Sequence, residues 1–214
     1  MKKLILIISL IISALLLFGC TPKQQIKSSF SEITYLYYYG EDASKGIFLS
    51  ISVGEREQPY IIDGNHTDNV DFSLVTLSFS QKQTFNKISV KIDDSEILLE
   101  FNPLNNSYMG DLGYKIENEN ISCIVEENTI ILQKISDNFV VDYNQATQIA
   151  ISALGESLNS YHSNGNFQGE CYLKILKEEE NNSTLFWIFT VIGRQGQSNN
   201  VVIDTNSGEV VILN

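Results

Sequence analysis

The chain has 214 residues, of which 43% are hydrophobic, and its 14 basic and 26 acidic side chains give a formal charge of −12. An acidic surface repels phosphate groups, so binding to nucleic acid, or to anionic lipid through a basic patch, is not expected. The length suffices for one large domain or two small ones.

The N-terminal segment predicts export from the cytoplasm. Lys2 and Lys3 precede an apolar run at 4–18, and a run of about 15 residues is typical of a secretory signal. As a helix this run would be roughly 23 Å long, which is short of the roughly 30 Å hydrocarbon core of a bilayer. A permanent transmembrane span is therefore disfavoured.

The apolar run ends in Leu17 and Phe18, and Gly19 and Cys20 follow it. A small residue directly before a cysteine at this place resembles the lipobox of bacterial lipoproteins. The resemblance implies cleavage before Cys20 and attachment of lipid to Cys20, so that the protein is anchored to the cell membrane on its extracytoplasmic side. The alternative is an ordinary secretory signal with an incidental cysteine.

Cleavage at this site would divide the chain into a signal peptide at 1–19 and a mature chain of 195 residues (214 minus 19). Loss of the two lysines leaves 12 basic side chains (14 minus 2) against 26 acidic ones, a formal charge of −14. Residues 20–29 are polar and lack hydrophobic periodicity, so we interpret them as a tether.

From residue 30 to about 140, apolar runs alternate with turn residues at the spacing of an antiparallel all-β domain. A β-sandwich or a strongly curved sheet would bury both faces of such a set. We therefore predict a β-rich, sandwich-like domain of unknown function at 30–140. The pattern predicts about seven strands, at 33–39, 47–53, 70–79, 85–92, 97–101, 116–125 and 129–135.

A single helix is predicted after this region. Asp142 and Gln145 have the spacing of a capping box, apolar residues then recur at helical spacing, and Gly155 is a plausible C-terminal stop. Further strands are predicted at 171–176, 185–192, 201–203 and 210–213. The whole chain is thus expected to be α+β, with a C-terminal helix packed on an antiparallel sheet.

The segment 141–214 carries a recognisable pattern of a helix, a strand and a terminal turn between two strands. Its residues are Ala146, Ile149, Ala150, Ala153 and Leu154 in the helix, Trp187 to Val191 in a strand, and Val202-Ile203-Asp204 with Ser207-Gly208-Glu209-Val210 at the end. This pattern resembles the PepSY domain, which is found in peptidase propeptides. The resemblance covers about a third of the chain, and most of the matching pattern is apolar spacing. It implies a helix-on-sheet fold and a role in modulating or inhibiting peptidases.

Two further cysteines, Cys123 and Cys171, alternate with apolar residues in predicted strands, which is typical of small core residues. An exported compartment also permits a disulfide between them, but the spacing does not demand one. Both possibilities stay open at the level of sequence.

No catalytic residue, metal ligand or cofactor site is predicted. His66 and His162 belong to no metal-binding motif and are interpreted as solvated loop residues. Asp63, Asn65, Asp68 and Asp71 offer oxygen ligands for calcium, but their spacing does not fit an EF-hand, so a solvated loop is favoured.

Tyrosines on the first strand are the remaining candidates for a binding site. Tyr35, Tyr37 and Tyr39 share one face of the strand, and tyrosine offers a ring with a polar tip. Tyrosine is also a good strand former, so a purely structural role is the alternative.

The sequence therefore predicts a non-enzymatic, membrane-anchored lipoprotein that binds or modulates another exported protein, such as a peptidase. The alternative is a lipoprotein that binds a small molecule or a wall polymer through tyrosines of the β-rich domain. An enzyme with a dispersed site is the third possibility, because catalytic residues need not be adjacent in sequence.

Overall fold

The structure is a computed structural model that describes residues 26, 29–63, 65–81, 83–177 and 184–214. Within these residues the chain forms fourteen β-strands, two 3-10 helices and one α-helix. The first eight strands are β1 (Phe30–Asp42), β2 (Ile47–Glu57), β3 (Asn69–Phe79), β4 (Lys87–Ile92), β5 (Ser95–Asn102), β6 (Ser107–Asp111), β7 (Asn120–Val125) and β8 (Asn128–Lys134). The remaining elements are η1 (Ile135–Asn138), α1 (Tyr143–Leu154), η2 (Gly155–Tyr161), β9 (His162–Ser163), β10 (Asn166–Phe167), β11 (Gly169–Lys177), β12 (Leu185–Gly193), β13 (Ser198–Asp204) and β14 (Val210–Leu213).

Eight antiparallel strands close into a barrel. Their order is β1-β2-β3-β6-β5-β4-β7-β8, and β8 pairs back with β1 through Lys134 and Gln133 opposite Tyr38 and Tyr39. Alternation along the strands explains the packing, since every second residue of β2 from Ile47 to Val53 is buried. The barrel interior is a filled hydrophobic core.

A second sheet region grows from the first half of β1. Residues Phe30 to Ile33 pair in parallel with Cys171 to Leu173 of β11, and β12, β13 and β14 follow in antiparallel order. The helix α1 packs against β12, β13 and β14. The same strand therefore contributes to two hydrophobic cores, with Tyr38 in the barrel core and Phe30 in the core under α1.

The predicted helix boundaries are confirmed. The Asp142 side chain accepts a hydrogen bond from the backbone N–H of Gln145 at 2.8 Å, and the Gln145 side chain accepts one from the backbone N–H of Asp142 at 2.9 Å. Gly155 caps the C-terminus with a φ of +50°, which glycine adopts without a steric penalty from a Cβ atom.

The predicted α+β fold class, a sandwich-like domain followed by a PepSY-like helix on a sheet, is wrong. Strands make up 56% of the described residues, eight of them close a barrel, and α1 is the single short α-helix of the described chain. The physical reason lies in β1, which pairs with β8 to close the barrel and with β11 to begin the second region. Pairing between strands that are distant in sequence leaves no trace in the local apolar pattern.

Candidate functional site

A groove of about 540 Å³ lies where the barrel meets the beginning of α1, and we call it the Tyr35 groove. This volume falls within the roughly 300–1,000 Å³ that small-molecule sites occupy. Five parts of the fold contribute to it: two residues come from β1, one each from β2, β8 and α1, and two from the connection between β6 and β7. Its lining residues are Tyr35, Leu36, Glu55, Lys115, Glu117, Lys134 and Tyr143.

A β-bulge in β1 directs Tyr35 into the groove. Thr34 pairs with Gly54, but the next pair along the ladder is Leu36 with Val53, so Tyr35 is the extra residue. Leu36 packs against the barrel core, while Tyr35 packs against the core under α1. The bulge therefore marks the point at which β1 passes from one core to the other.

Two tyrosine rings form the apolar part of the groove. The ring centroids of Tyr35 and Tyr143 are 4.8 Å apart at an interplanar angle of 61°, an edge-on arrangement that suits the charge distribution of aromatic rings. Burial, followed by the neighbouring carboxylate of Glu55, raises the pKa of Tyr35 above its usual value. The Tyr35 hydroxyl is therefore protonated at neutral pH.

Charged side chains surround the two rings. The ammonium group of Lys115 lies 5.6 Å from the Tyr35 ring centroid and 3.0 Å from a carboxylate oxygen of Glu117. The hydrogen bond to Glu117 raises the pKa of Lys115 despite some burial. Lys134 is paired in the same way with Asp137, at 3.2 Å.

The groove thus carries two lysines and two glutamates, and each lysine has an acidic partner. Opposite charges cancel, so the groove does not select for a strongly charged ligand. The groove instead offers hydroxyl, carboxylate and ammonium groups, which are hydrogen-bond donors and acceptors, beside two half-buried tyrosine rings. Such a lining suits a neutral ligand that bears several hydroxyl or amide groups.

The three tyrosines predicted as a binding surface are separated by the fold. Tyr35 lines the groove, but Tyr37 is buried, and its backbone N–H donates to the Ser136 hydroxyl at 3.2 Å. Tyr39 lines a second cavity of about 260 Å³, where it donates to Glu41 and the Lys177 ammonium lies 3.5 Å from its ring centroid. Tyr35 and Tyr39 therefore line different cavities, and Tyr37 lines neither of them.

Sequence reasoning missed Tyr143, Lys115, Lys134 and Glu55 as groove residues. Tyr143 is visible in the sequence only as the first residue after the helix cap. Lys115 lies in the connection between β6 and β7, and Lys134 is the last residue of β8. No local spacing links them, because the groove is assembled by barrel closure and by the return of the chain through α1.

The two cysteines of the folded region lie in different cores. Cys123 belongs to the barrel core and Cys171 to the core under α1, and both are free thiols. Burial raises the pKa of Cys123 to about 12 and also raises that of Cys171. Cys20 lies outside the described residues.

The histidines and the acidic loop do not form a cluster of metal ligands within the described residues. His66 is exposed, and His162 makes a 2.8 Å hydrogen bond between Nδ1 and the carbonyl oxygen of Leu158. Asp63 accepts from the backbone N–H of Asn65 at 2.8 Å, as in an Asx turn. Across the described ranges, no set of three or more His, Cys, Asp or Glu side chains could hold a metal ion.

In the described part of the chain, none of the helices has the length and apolar character needed to cross a membrane. No protein-family model, curated protein or solved structure matches this chain.

Proposed function

We propose that this protein is an extracytoplasmic lipoprotein, anchored through Cys20, that binds a neutral saccharide-like ligand in the Tyr35 groove. The observation that carries the proposal is the pair of tyrosine rings within a groove of balanced charge. The ring of a tyrosine packs against the C–H groups of a sugar, while carboxylates and ammonium groups hydrogen-bond to its hydroxyls. Polysaccharides of a cell wall are one extracytoplasmic class of ligand with this chemistry.

A binding role fits the state of the groove residues better than a catalytic one. The raised pKa of Tyr35 keeps its hydroxyl protonated, and the pKa of Lys115 is also raised, so this amine is charged at neutral pH. A general base or an amine nucleophile needs an accessible unprotonated form near the working pH. These two groups act as hydrogen-bond donors.

The test is a titration of the protein with chitin oligosaccharides and with purified wall fragments, followed by calorimetry and by thermal shift. Tyr35→Ala and Tyr143→Ala should each weaken binding about tenfold or more, since loss of an aromatic contact costs on the order of 1.5 kcal/mol. Tyr39→Ala is the matched control, because Tyr39 lies on the same strand but lines the other cavity. Absence of any response to both ligand sets would contradict the proposal.

Binding of another exported protein, such as a peptidase, is a second candidate function, and β14 favours it. Among the described strands β14 pairs only with β13, so its outer edge is open to an added strand. Asn214 exchanges both backbone hydrogen bonds with Asn200, and alternation then directs the N–H of the half-exposed Leu213 away from β13.

The second candidate is tested by capture of partners from solubilised membranes on the full chain. Leu213→Pro removes the outward N–H, whereas Leu213→Thr keeps it and removes a similar apolar area. Loss of a captured protein with proline but not with threonine would support pairing at this edge, and equal capture by both variants would contradict it.

A further inference from the structure

The loop between β2 and β3, residues 58–68, exposes two consecutive isoleucines. Ile61 is 52% exposed and Ile62 is 59% exposed. Burial of either side chain against another apolar surface would be favourable, because removal of apolar surface from water lowers the free energy. A pair of adjacent exposed isoleucines at a loop tip is therefore a candidate contact surface.

The loop is held in this conformation by a buried carboxylate. Glu57, at 1% exposure, accepts hydrogen bonds from the backbone N–H groups of Ile61 at 3.4 Å and Thr67 at 3.2 Å. The exposure of the isoleucines is thus built into the loop, since both of its arms are tied to the same side chain.

An aromatic contact fixes the base of the loop on the second sheet region. The Tyr60 ring packs edge-on against Tyr172, with centroids 6.2 Å apart, and the Tyr60 hydroxyl accepts a hydrogen bond from the Lys174 ammonium at 3.0 Å. Tyr60 therefore faces the protein, while the next two residues face away from it.

The loop lies at the end of the molecule from which the tether leaves. Asn69, the first residue of β3, donates its side-chain amide to the carbonyl oxygen of Phe30, the first residue of β1, at 2.8 Å. Ile26 is already buried in the core under α1. Cys20 and Ile26 are six positions apart in the chain, and six extended residues span at most about 21 Å.

A lipid on Cys20 would therefore hold this end of the protein next to the bilayer. We infer that Ile61 and Ile62 insert into the membrane interface and dock the protein on the lipid surface in one orientation. The inference rests on the proposed anchoring through Cys20. Isoleucine side chains partition into the region between the headgroups and the acyl chains, and the charged Asp63 that follows stays in water.

The chemistry of the loop selects a zwitterionic rather than an anionic lipid surface as the binding partner. Residues 58–68 contain two aspartates, Asp63 and Asp68, and neither lysine nor arginine. Attraction to anionic headgroups needs basic side chains, so the loop binds through apolar contact alone.

The test uses the full lipid-bearing chain in phosphatidylcholine vesicles with a fluorescent label on a single introduced cysteine. Ile62→Cys places the label at the loop, and Leu104→Cys is the matched control. Leu104 is 94% exposed in the turn between β5 and β6, which lies at the other end of the barrel, near the turn between β1 and β2. The native Cys123 and Cys171 are buried and do not compete for the label.

Spin-labelled phosphatidylcholine, which quenches fluorescence at short range, is then added to the vesicles. We expect emission from position 62 to fall by about half and emission from position 104 to stay unchanged, as for an interfacial contact of limited depth. A second change, Ile61→Asp in the same labelled chain, should abolish the quenching. If the spin-labelled lipid quenched position 62 no more than position 104 while the protein was bound to the vesicles, the proposed docking would be overturned.

Failure of the anchoring is detected separately. Flotation of the vesicles and the mass of the N-terminal peptide report whether Cys20 carries lipid. If it does not, the anchoring proposal is wrong, and a lipid coupled chemically to the Cys20 thiol then tests the loop alone. Quenching at position 62 in that coupled protein would support the contact, and its absence would overturn it.

Discussion

Gly54 lies opposite Thr34 in the ladder between β1 and β2, and a Cβ atom on Gly54 would lie 1.9 Å from the carbonyl oxygen of Ile33. A backbone oxygen cannot move away as the end of a flexible side chain can. The absence of a side chain at Gly54 therefore permits the close approach of the two strands at the bulge that directs Tyr35 into its groove.

Gly54→Ala should destabilise the protein by about 1–3 kcal/mol or more, as expected for overpacking against backbone. It should also weaken ligand binding, because relief of the clash displaces the bulge at Tyr35. Urea denaturation and the ligand titration measure the two effects. Gly110→Ala is the control, since its added Cβ would mainly meet the side-chain ends of Leu99 and Ile97. An equal loss of unfolding free energy for both substitutions would contradict this role of Gly54.

The barrel and the second sheet region should unfold in a single transition. Both cores contain residues of β1, so melting of either one removes a strand from the other. Trp187 reports on the second core, where it is 1% exposed and its indole N–H donates to the carbonyl oxygen of Val141 at 2.8 Å.

The measurement compares Trp187 fluorescence with far-ultraviolet circular dichroism, to which all strands contribute, during urea denaturation. Coincident midpoints are expected. A fluorescence transition that precedes the circular dichroism transition would show that the second region unfolds independently of the barrel.

The two core thiols should be unreactive in the native protein. Burial raises the pKa of Cys123 to about 12, and Cys171 shifts in the same direction, so the reactive thiolate is scarce at pH 8 and the sulfur is inaccessible. We expect Ellman's reagent to detect these two thiols only after addition of guanidinium chloride. Rapid reaction of either thiol in the absence of denaturant would contradict the buried placement.

Asp204 should stabilise the folded protein near neutral pH and lose this effect in acid. Hydrogen bonds from the backbone N–H of Ser207, at 2.7 Å, and of Asn206, at 2.8 Å, hold the pKa of this carboxyl below its usual value. Because its pKa is lower in the folded state, the ionised Asp204 carboxylate stabilises the fold at pH values above the unfolded pKa of about 3.9. This stabilisation is lost as the pH falls through the pKa of the folded state.

Asp204→Asn should therefore lower the melting temperature at pH 6, and the difference from wild type should shrink below about pH 4. Asp94→Asn, in the exposed turn between β4 and β5, controls for the loss of one negative charge. A difference that persists unchanged down to pH 2.5, on the order of one unit below the usual carboxyl pKa, would contradict this role for the Asp204 carboxylate.

The local features of the fold could be predicted from the sequence, because residues close together in the chain determine them. Asp142 and Gln145 cap the helix as expected, and most strands lie where the apolar alternation places them. The strand β6 was missed, since Ser107 to Asp111 shows little alternation and includes Gly110.

Long-range pairing could not be predicted in this way. Nothing near β1 indicates that one half pairs with β8 and the other with β11, and this choice decides between a barrel and a sandwich. The same limit applies to the groove. Tyr35 was singled out by its side-chain chemistry, but Tyr143 and Lys115 join it only because distant parts of the chain converge.

The central place of β1 also constrains when the protein can fold. β1 is the first strand within the described residues, yet its contact between Ser31 and Glu170 spans 139 residues. Contacts of such separation form slowly because a long loop must be closed first. A chain exported from its N-terminus would present β1 outside the membrane well before β8 and β11 emerge. In such a chain β1 could pair with β2 early, but completion of both cores would follow the passage of β8 and of β11.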